Sequence, residues 1–174
     1  FAESIASSSH DHEIDVVNIQ ELDPTTLVDL RYSSKNNFLK KDMYVDLEEC
    51  FLRRKPAGML CQANEHLKAS HPELRLLVFD GLRTRSIQKK LWDALDTIPI
   101  SLRTQFVADP KKGSIHNYGA AVDLTLALEN GSELDMGTEY DHFGELAFPA
   151  LEDSLLALGK LTDKQIKNLS LIHI

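Results

Sequence analysis

The chain is poor in the residues that staple, punctuate or anchor a protein. Among 174 residues there are two cysteines, six prolines, eight glycines and one tryptophan. Two cysteines exclude a disulfide-built scaffold. Cys50 and Cys61, with Pro56 and Gly58 between them, have the spacing of neither a zinc ribbon nor a Cys-x-x-Cys redox pair. They are read as two reduced, partly buried thiols, with a single bridge open to them only in an exported protein. So little proline and glycine excludes a collagen-like or low-complexity chain. No apolar run approaches the roughly 20 residues of a membrane span. Positive charge is also short: 19 Lys and Arg face 27 Asp and Glu, a net charge of −8. A chain of that balance offers no broad basic face, which argues against nucleic acid and anionic membrane surfaces as partners.

What is present suits one domain. The length falls within a single-domain range, and 43% hydrophobic residues with 26% charged are enough for a core and a solvated surface. The chain opens on Phe1, and residues 1–9 (FAESIASSS) are small and polar. They read as a loose terminus or as the stub left by a removed leader. Residues 1–13 are therefore expected to form a flexible N-terminal stub and residues 14–174 the domain.

Along the domain, two apolar stretches flank a turn at Asp23-Pro24. Residues 32–49 read as loop with short extended pieces. Pro56 suits a first helical turn; Leu60, Ala63 and Leu67 continue a helix that His71-Pro72 ends. Leu74 to Asp80 is a short, bounded apolar run, the pattern of a buried strand. Thr84 or Ser86 caps a helix carrying Ile87, Leu91 and Leu95, and Ser101 is expected to cap a shorter one. Val122, Leu124 and Leu126 alternate with polar or small residues, which predicts a half-buried strand with Asp123 on the other face. Asn130-Gly131 signals a hairpin, with residues 133–136 pairing back. A helix is expected over residues 149–158. Another opens at Thr162-Asp163-Lys164-Gln165, which has the form of a capping box. Helices first and a late hairpin argue for an α+β fold with an antiparallel sheet rather than alternating βαβ units.

The chemistry concentrates at residues 114–123, Ser-Ile-His-Asn-Tyr-Gly-Ala-Ala-Val-Asp. His116 precedes the strand and Asp123 lies in it, and a turn at Gly119 can bring imidazole and carboxylate to one point. Both are good zinc ligands, and a catalytic zinc takes three protein ligands and a water. Gly119, Ala120 and Ala121 let backbone crowd such a site.

Ser114, His116, Gly119, Ala121 and Asp123 fill every fixed position of Ser-x-His-x-x-Gly-x-Ala-x-Asp, a signature of D-alanyl-D-alanine metallopeptidases. Asp29-Leu30-Arg31-Tyr32, Asn36-Asn37-Phe38, Asp80-Gly81-Leu82-Arg83 and Met136-Gly137-Thr138 with Asp141 widen the match. The chain resembles the D-alanyl-D-alanine dipeptidase family, the branch that includes the dipeptidase of vancomycin resistance, over roughly residues 14–168. The resemblance implies a small α+β domain with a central antiparallel sheet carrying zinc (Zn2+) and helices packed on it. It implies hydrolysis of the dipeptide D-Ala-D-Ala, a peptidoglycan precursor, in a bacterial cytoplasm or periplasm.

Residue by residue, the resemblance makes His116 and Asp123 zinc ligands and Arg83 the catalytic cation beside the scissile carbonyl. Asp141 would hold the free amine, and Ser114 and Tyr32 would line the pocket. Leu82 and Thr84 depart from the family's Tyr and Pro around the arginine. The family's C-terminal Glu-x-x-His, general base and third ligand, has no counterpart here: Ser170 stands three before His173, and a serine cannot replace that base. The expectation is a family member cut near Asn168 with a short unrelated ending. Two alternatives follow. One is a non-catalytic module that binds wall peptides or zinc, because two ligands hold zinc weakly. The other is a D,D-carboxypeptidase acting on longer wall peptides, against which Asp141 speaks if it meets a free amine. The remaining histidines carry less: His66 and His71 are expected to face solvent, His10 and His12 sit in the stub, and His142 is near the pocket or in a loop.

Overall fold

The apolar run at residues 74–80 becomes the spine of the molecule. The computed structural model describes residues 15–45 and 47–172. Within them, β1 (Val16–Asn18) leads into a single turn α1 (Ile19–Leu22), and β2 (Leu27–Val28) follows the Asp23-Pro24 turn. After a 3-10 turn at Arg31–Ser33 come β3 (Phe51–Arg53), α2 (Arg54–Ser70), β4 (Leu74–Asp80) and α3 (Arg85–Asp93). Then follow α4 (Ile100–Arg103), a second 3-10 turn at Ile115–Tyr118, β5 (Asp123–Leu128), α5 (Glu152–Ala157) and α6 (Asp163–Ile172). This is an α+β fold. No helix of the described residues is long and apolar enough to cross a membrane.

The strands make two small sheets. β1 pairs antiparallel with β3. β4 pairs antiparallel with β5, and β2 adds a short parallel edge on the other side of β4. The antiparallel pair is the expected one, and its register brings Asp80 opposite Asp123 after an irregularity between Val78 and Asp80. A bulge of this kind ends regular pairing and re-aims side chains, which here turns two carboxylates toward one end of the sheet. The parallel edge arises because the chain between β2 and β4 carries α2 across the sheet before returning. Beyond β5 the hairpin closes with one bridge, Ala127 to Glu133, in place of a full strand.

The helices follow their sequence signals. Thr84 caps α3, its hydroxyl accepting from the Ile87 amide. Thr162 and Gln165 cap α6 reciprocally, at 2.8 and 3.3 Å. Leu95 lies just past the end of α3 and is still buried. Ser101 does not cap α4; Pro99 holds that place, its fixed φ suiting the extended cap backbone. One core, with Leu52, Leu60, Leu74, Leu76, Val78 and Leu126, lies between α2 and the sheet. A second, with Tyr32, Tyr44, Ile87 and Leu91, packs under α3. The site lies where β4 runs out between these two cores. Both cysteines are free, Cys50 buried and Cys61 partly so. Burial pushes the Cys50 thiol up to about 12, and the nearby Asp80 charge adds to the rise, so it is no nucleophile at neutral pH. Residues 1–13, expected to form a stub, with His10 and His12, and His173 at the other end, lie outside the described residues. His66 is exposed and His71 caps α2 at its C-terminus.

Candidate active site

His116 is placed by a tightly laced turn. Ser114 and Asn117 form a capping box around the 3-10 turn, with Ser114 Oγ accepting from the His116 amide at 3.4 Å and Asn117 Oδ1 from the Ser114 amide at 2.8 Å. The turn ends at Gly119, which has a φ of +61°, a left-handed backbone favouring glycine. A Cβ there would also lie 3.1 Å from the Arg53 amide nitrogen, which donates to the Gly119 carbonyl. Three bonds tie the turn to the loop after β4. The Arg83 amide donates to the His116 carbonyl at 3.0 Å, and Asn117 Nδ2 donates to the Arg83 carbonyl at 2.8 Å. His116 Nδ1 lies 2.9 Å from the Gly81 carbonyl. A carbonyl only accepts, so Nδ1 carries a proton, and in the neutral ring it is Nε2 that keeps the lone pair.

That free nitrogen faces Asp123. His116 Nε2 and Asp123 Oδ1 are 3.5 Å apart, long for a hydrogen bond. Two ligand atoms about 2.0–2.1 Å from a tetrahedral ion lie roughly 3.3–3.4 Å from one another. The pair therefore has nearly the spacing that a shared metal demands. Two of the three protein donors that a catalytic zinc takes are thus in place: one imidazole with its other nitrogen held by a carbonyl, and one carboxylate. Burial pushes the His116 imidazole down, but the Asp123 and Asp80 carboxylates outweigh it and hold it above its ordinary value. Burial pushes Asp123 up, yet His116, the Tyr140 hydroxyl and Arg83 hold it below the usual carboxylate range. Asp123 is thus ionised at neutral pH, as a metal ligand must be.

Asp80 completes the cluster of possible ligands among the described residues, but its oxygens are already engaged. Tyr44 donates its hydroxyl to Oδ1. Arg83 donates to Oδ2 through Nε, at 2.9 Å, and through an Nη. Asp80 is fully buried, and Arg83 is only 7% exposed. Gln88 accepts a further bond from the guanidinium at 3.2 Å. Burial opposes the charge on Arg83, but Asp80 more than offsets this and keeps it protonated. The guanidinium lies over the Tyr32 ring, 5.2 Å from its centroid, and an Nη is 3.8 Å from Asp123 Oδ2. The structure thus brings Arg83, His116 and Asp123 together.

Tyr32 and Asp141 form the adjoining wall. The Tyr32 hydroxyl donates to Asp141 Oδ2 at 2.9 Å. Asp141 has a φ of +58°, an uncommon conformation outside glycine and a sign that its neighbours hold it in place. It also borders a polar cavity of about 450 Å³ shared with Arg31, Lys40 and the exposed His142. Burial pushes the Asp141 carboxyl up to about 6; Tyr32 and Arg83 oppose the rise, and Asp123 and Asp80 add to it.

Sequence reading did not single out three members of this assembly: Asp80, Tyr44 and Tyr140. Asp80 had a signal, a lone carboxylate ending the apolar run Leu76–Phe79 just before a glycine. Tyr44 and Tyr140 had none, since only folding brings them to the site.

The family described as D-ala-D-ala dipeptidase matches residues 12–157. The chain belongs to the D-alanyl-D-alanine dipeptidase family of peptidases. A curated relative, the D-alanyl-D-alanine dipeptidase of Escherichia coli K12, is 30% identical over 131 residues. That alignment covers 75% of this chain and 63% of the relative, so the chain spans less than two thirds of the relative's length. The family match includes β4, the His116 turn, β5 and Asp141, so every residue of the cluster lies inside it.

Proposed function

We propose that the protein acts as a zinc-dependent dipeptidase that cleaves D-Ala-D-Ala, in the metabolism of peptidoglycan precursors. The observation that carries this reading is the His116–Asp123 pair at 3.5 Å with the Arg83 guanidinium directly behind it. Zinc in such a site supplies a Lewis acid for the scissile carbonyl and acidifies water toward neutrality. His116 presents Nε2, its tautomer set by the Gly81 carbonyl, and Asp123 presents Oδ1. Arg83 makes three of its five possible N–H bonds with Asp80 and Gln88. Two donors remain to receive the negative charge that develops on the carbonyl oxygen, from a cation that burial and Asp80 hold still.

Tyr32 and Asp141 set the length of the substrate. Asp141 offers a carboxylate to the free ammonium of a dipeptide, and Tyr32 holds that carboxylate through Oδ2. A longer peptide has an amide where the ammonium would be, and an amide gives no charge-assisted bond. Ser114 keeps the His116 turn in shape, its Oγ accepting from the His116 amide.

The test supplies zinc to the protein and measures D-alanine released from D-Ala-D-Ala and from N-acetyl-D-Ala-D-Ala. The expected result is release from the free dipeptide only, lost with a chelator and in His116→Ala. Release from the acylated peptide instead makes the protein a D,D-carboxypeptidase. Zinc binding with no release from either makes it a binding module.

A further inference from the structure

The two oxygens of Asp123 have different environments. Oδ1 faces His116 Nε2 at 3.5 Å. Oδ2 accepts the Tyr140 hydroxyl at 2.9 Å and faces Arg83 at 3.8 Å. A carboxylate free to turn can offer a metal one oxygen or two. This one is divided between a metal side and a protein side. We propose that Tyr140 is a positioning residue for the metal: by holding Oδ2 it makes Asp123 a one-oxygen ligand. The inference rests on the metallopeptidase reading of the site.

The tyrosine is itself well fixed. Its ring packs 5.0 Å from that of Phe79 on β4 and edge-on to Tyr32 at 6.2 Å. Three residues on, Phe143 sits between Phe38 and Phe106, with ring centroids 5.2 and 4.7 Å away. The loop that delivers the hydroxyl is thus held by aromatic contacts on both sides. Such contacts do not depend on the hydroxyl, so removing it leaves the loop seated. A hydroxyl bond to the non-ligating oxygen fixes the carboxylate plane, and outer bonds of this kind typically change metal affinity by about 10–100-fold when lost. The same loop carries Asp141, so the residue that orients the metal ligand adjoins the proposed amine acceptor.

The test is Tyr140→Phe, with zinc affinity measured by competition against a chelating dye and the visible spectrum recorded with cobalt(II) in place of zinc. Expected are a loss of about 10–100-fold in zinc affinity and a weaker cobalt absorption, as Asp123 becomes free to bind through both oxygens and the coordination number rises. Thermal unfolding without metal should stay close to that of the wild type. Phe79→Leu serves as the packing control; it loosens the ring but keeps the hydroxyl. Wild-type affinity and spectrum in Tyr140→Phe overturn the inference. An equal spectral change in Phe79→Leu also overturns it, since packing alone would then set the ligand. Failure of the wild type to bind zinc or cobalt overturns the metallopeptidase reading and the inference together.

Discussion

Asp80 holds Arg83, three residues along the chain, through both Nε and an Nη, and the pair is sealed from solvent by Tyr44, Gln88 and the Tyr32 ring. Breaking one half of a buried ion pair strands the other charge, a loss of about 3–5 kcal/mol. Arg83→Ala should cost that much in urea unfolding, and Asp80→Ala in the same chain should restore part of it. Arg83→Lys keeps a charge but not the fork. It should lower kcat on D-Ala-D-Ala by roughly 100-fold or more. Full activity in Arg83→Lys would rule out the oxyanion role, and wild-type stability in Arg83→Ala would rule out the buried pair.

Asp141 should trade stability for binding. Its folded pKa of about 6 lies above the ordinary value of 3.8. The folded protein therefore holds this proton more tightly than the unfolded chain does. Stability associated with it is full below about pH 4 and is lost as pH rises through about 6. Asp141→Asn keeps an acceptor for Tyr32 and removes the charge. The metal-free variant should be about 1–2 kcal/mol more stable than the wild type at pH 7.5 and no different at pH 4. Its KM for D-Ala-D-Ala should rise about 10–100-fold, the value of a charge-assisted bond. Urea unfolding at the two pH values and steady-state kinetics check both; an unchanged KM removes Asp141 from amine recognition.

A second carboxylate works in the opposite sense, far from the site. Asp23 accepts from Thr25, from Thr26 and from Asn64 Nδ2 at 2.7 Å. Burial pushes its carboxyl up, but these hydrogen bonds outweigh it and hold the pKa at about 2. The sign is that of a depressed acid: its contribution, about 2 kcal/mol, is full above pH 4 and is lost as pH falls through 2. Asn64 is fully buried and also accepts from the Leu76 amide at 3.0 Å, which ties α2 to β4. Asn64→Leu leaves that amide unpaired and takes one of its donors from Asp23, and should cost about 2–4 kcal/mol at pH 7. The penalty should shrink toward pH 2. A penalty independent of pH would show that Asp23 and Asn64 are not coupled.

Gly81 is a point of close approach between the fold and the site. A Cβ there would sit 2.5 Å from Cys50 Sγ and 3.0 Å from the Phe51 carbonyl. Its own carbonyl orients His116. Gly81→Ala should destabilise by about 1–3 kcal/mol through overpacking. It should also weaken zinc binding, as the displaced carbonyl releases the imidazole. Adding Cys50→Ala removes the nearest obstacle, so the double variant should lose less than the sum of the singles. Strict additivity in the double-mutant cycle would show that Sγ is not the obstacle.

The sequence by itself determined the main elements and the His116–Asp123 pair. Strand β4 is a bounded apolar run, the helix caps at Thr84 and Thr162 are local hydrogen bonds, and His116 and Asp123 are seven residues apart across one turn. Each depends on neighbours in the chain, where spacing and residue type are sufficient. The rest of the site is not local. Tyr140 reaches Asp123 from 17 residues away, Tyr44 reaches Asp80 from 36, and Tyr32 reaches Asp141 from 109. No periodicity records such meetings. Tertiary structure alone decided that Asp80 would hold Arg83 rather than a metal, and that one Asp123 oxygen would be left to face His116. The physical reason is that a buried carboxylate must be satisfied by whichever donors packing brings to it. Those donors arrive on segments whose order in the chain says nothing of their place in space.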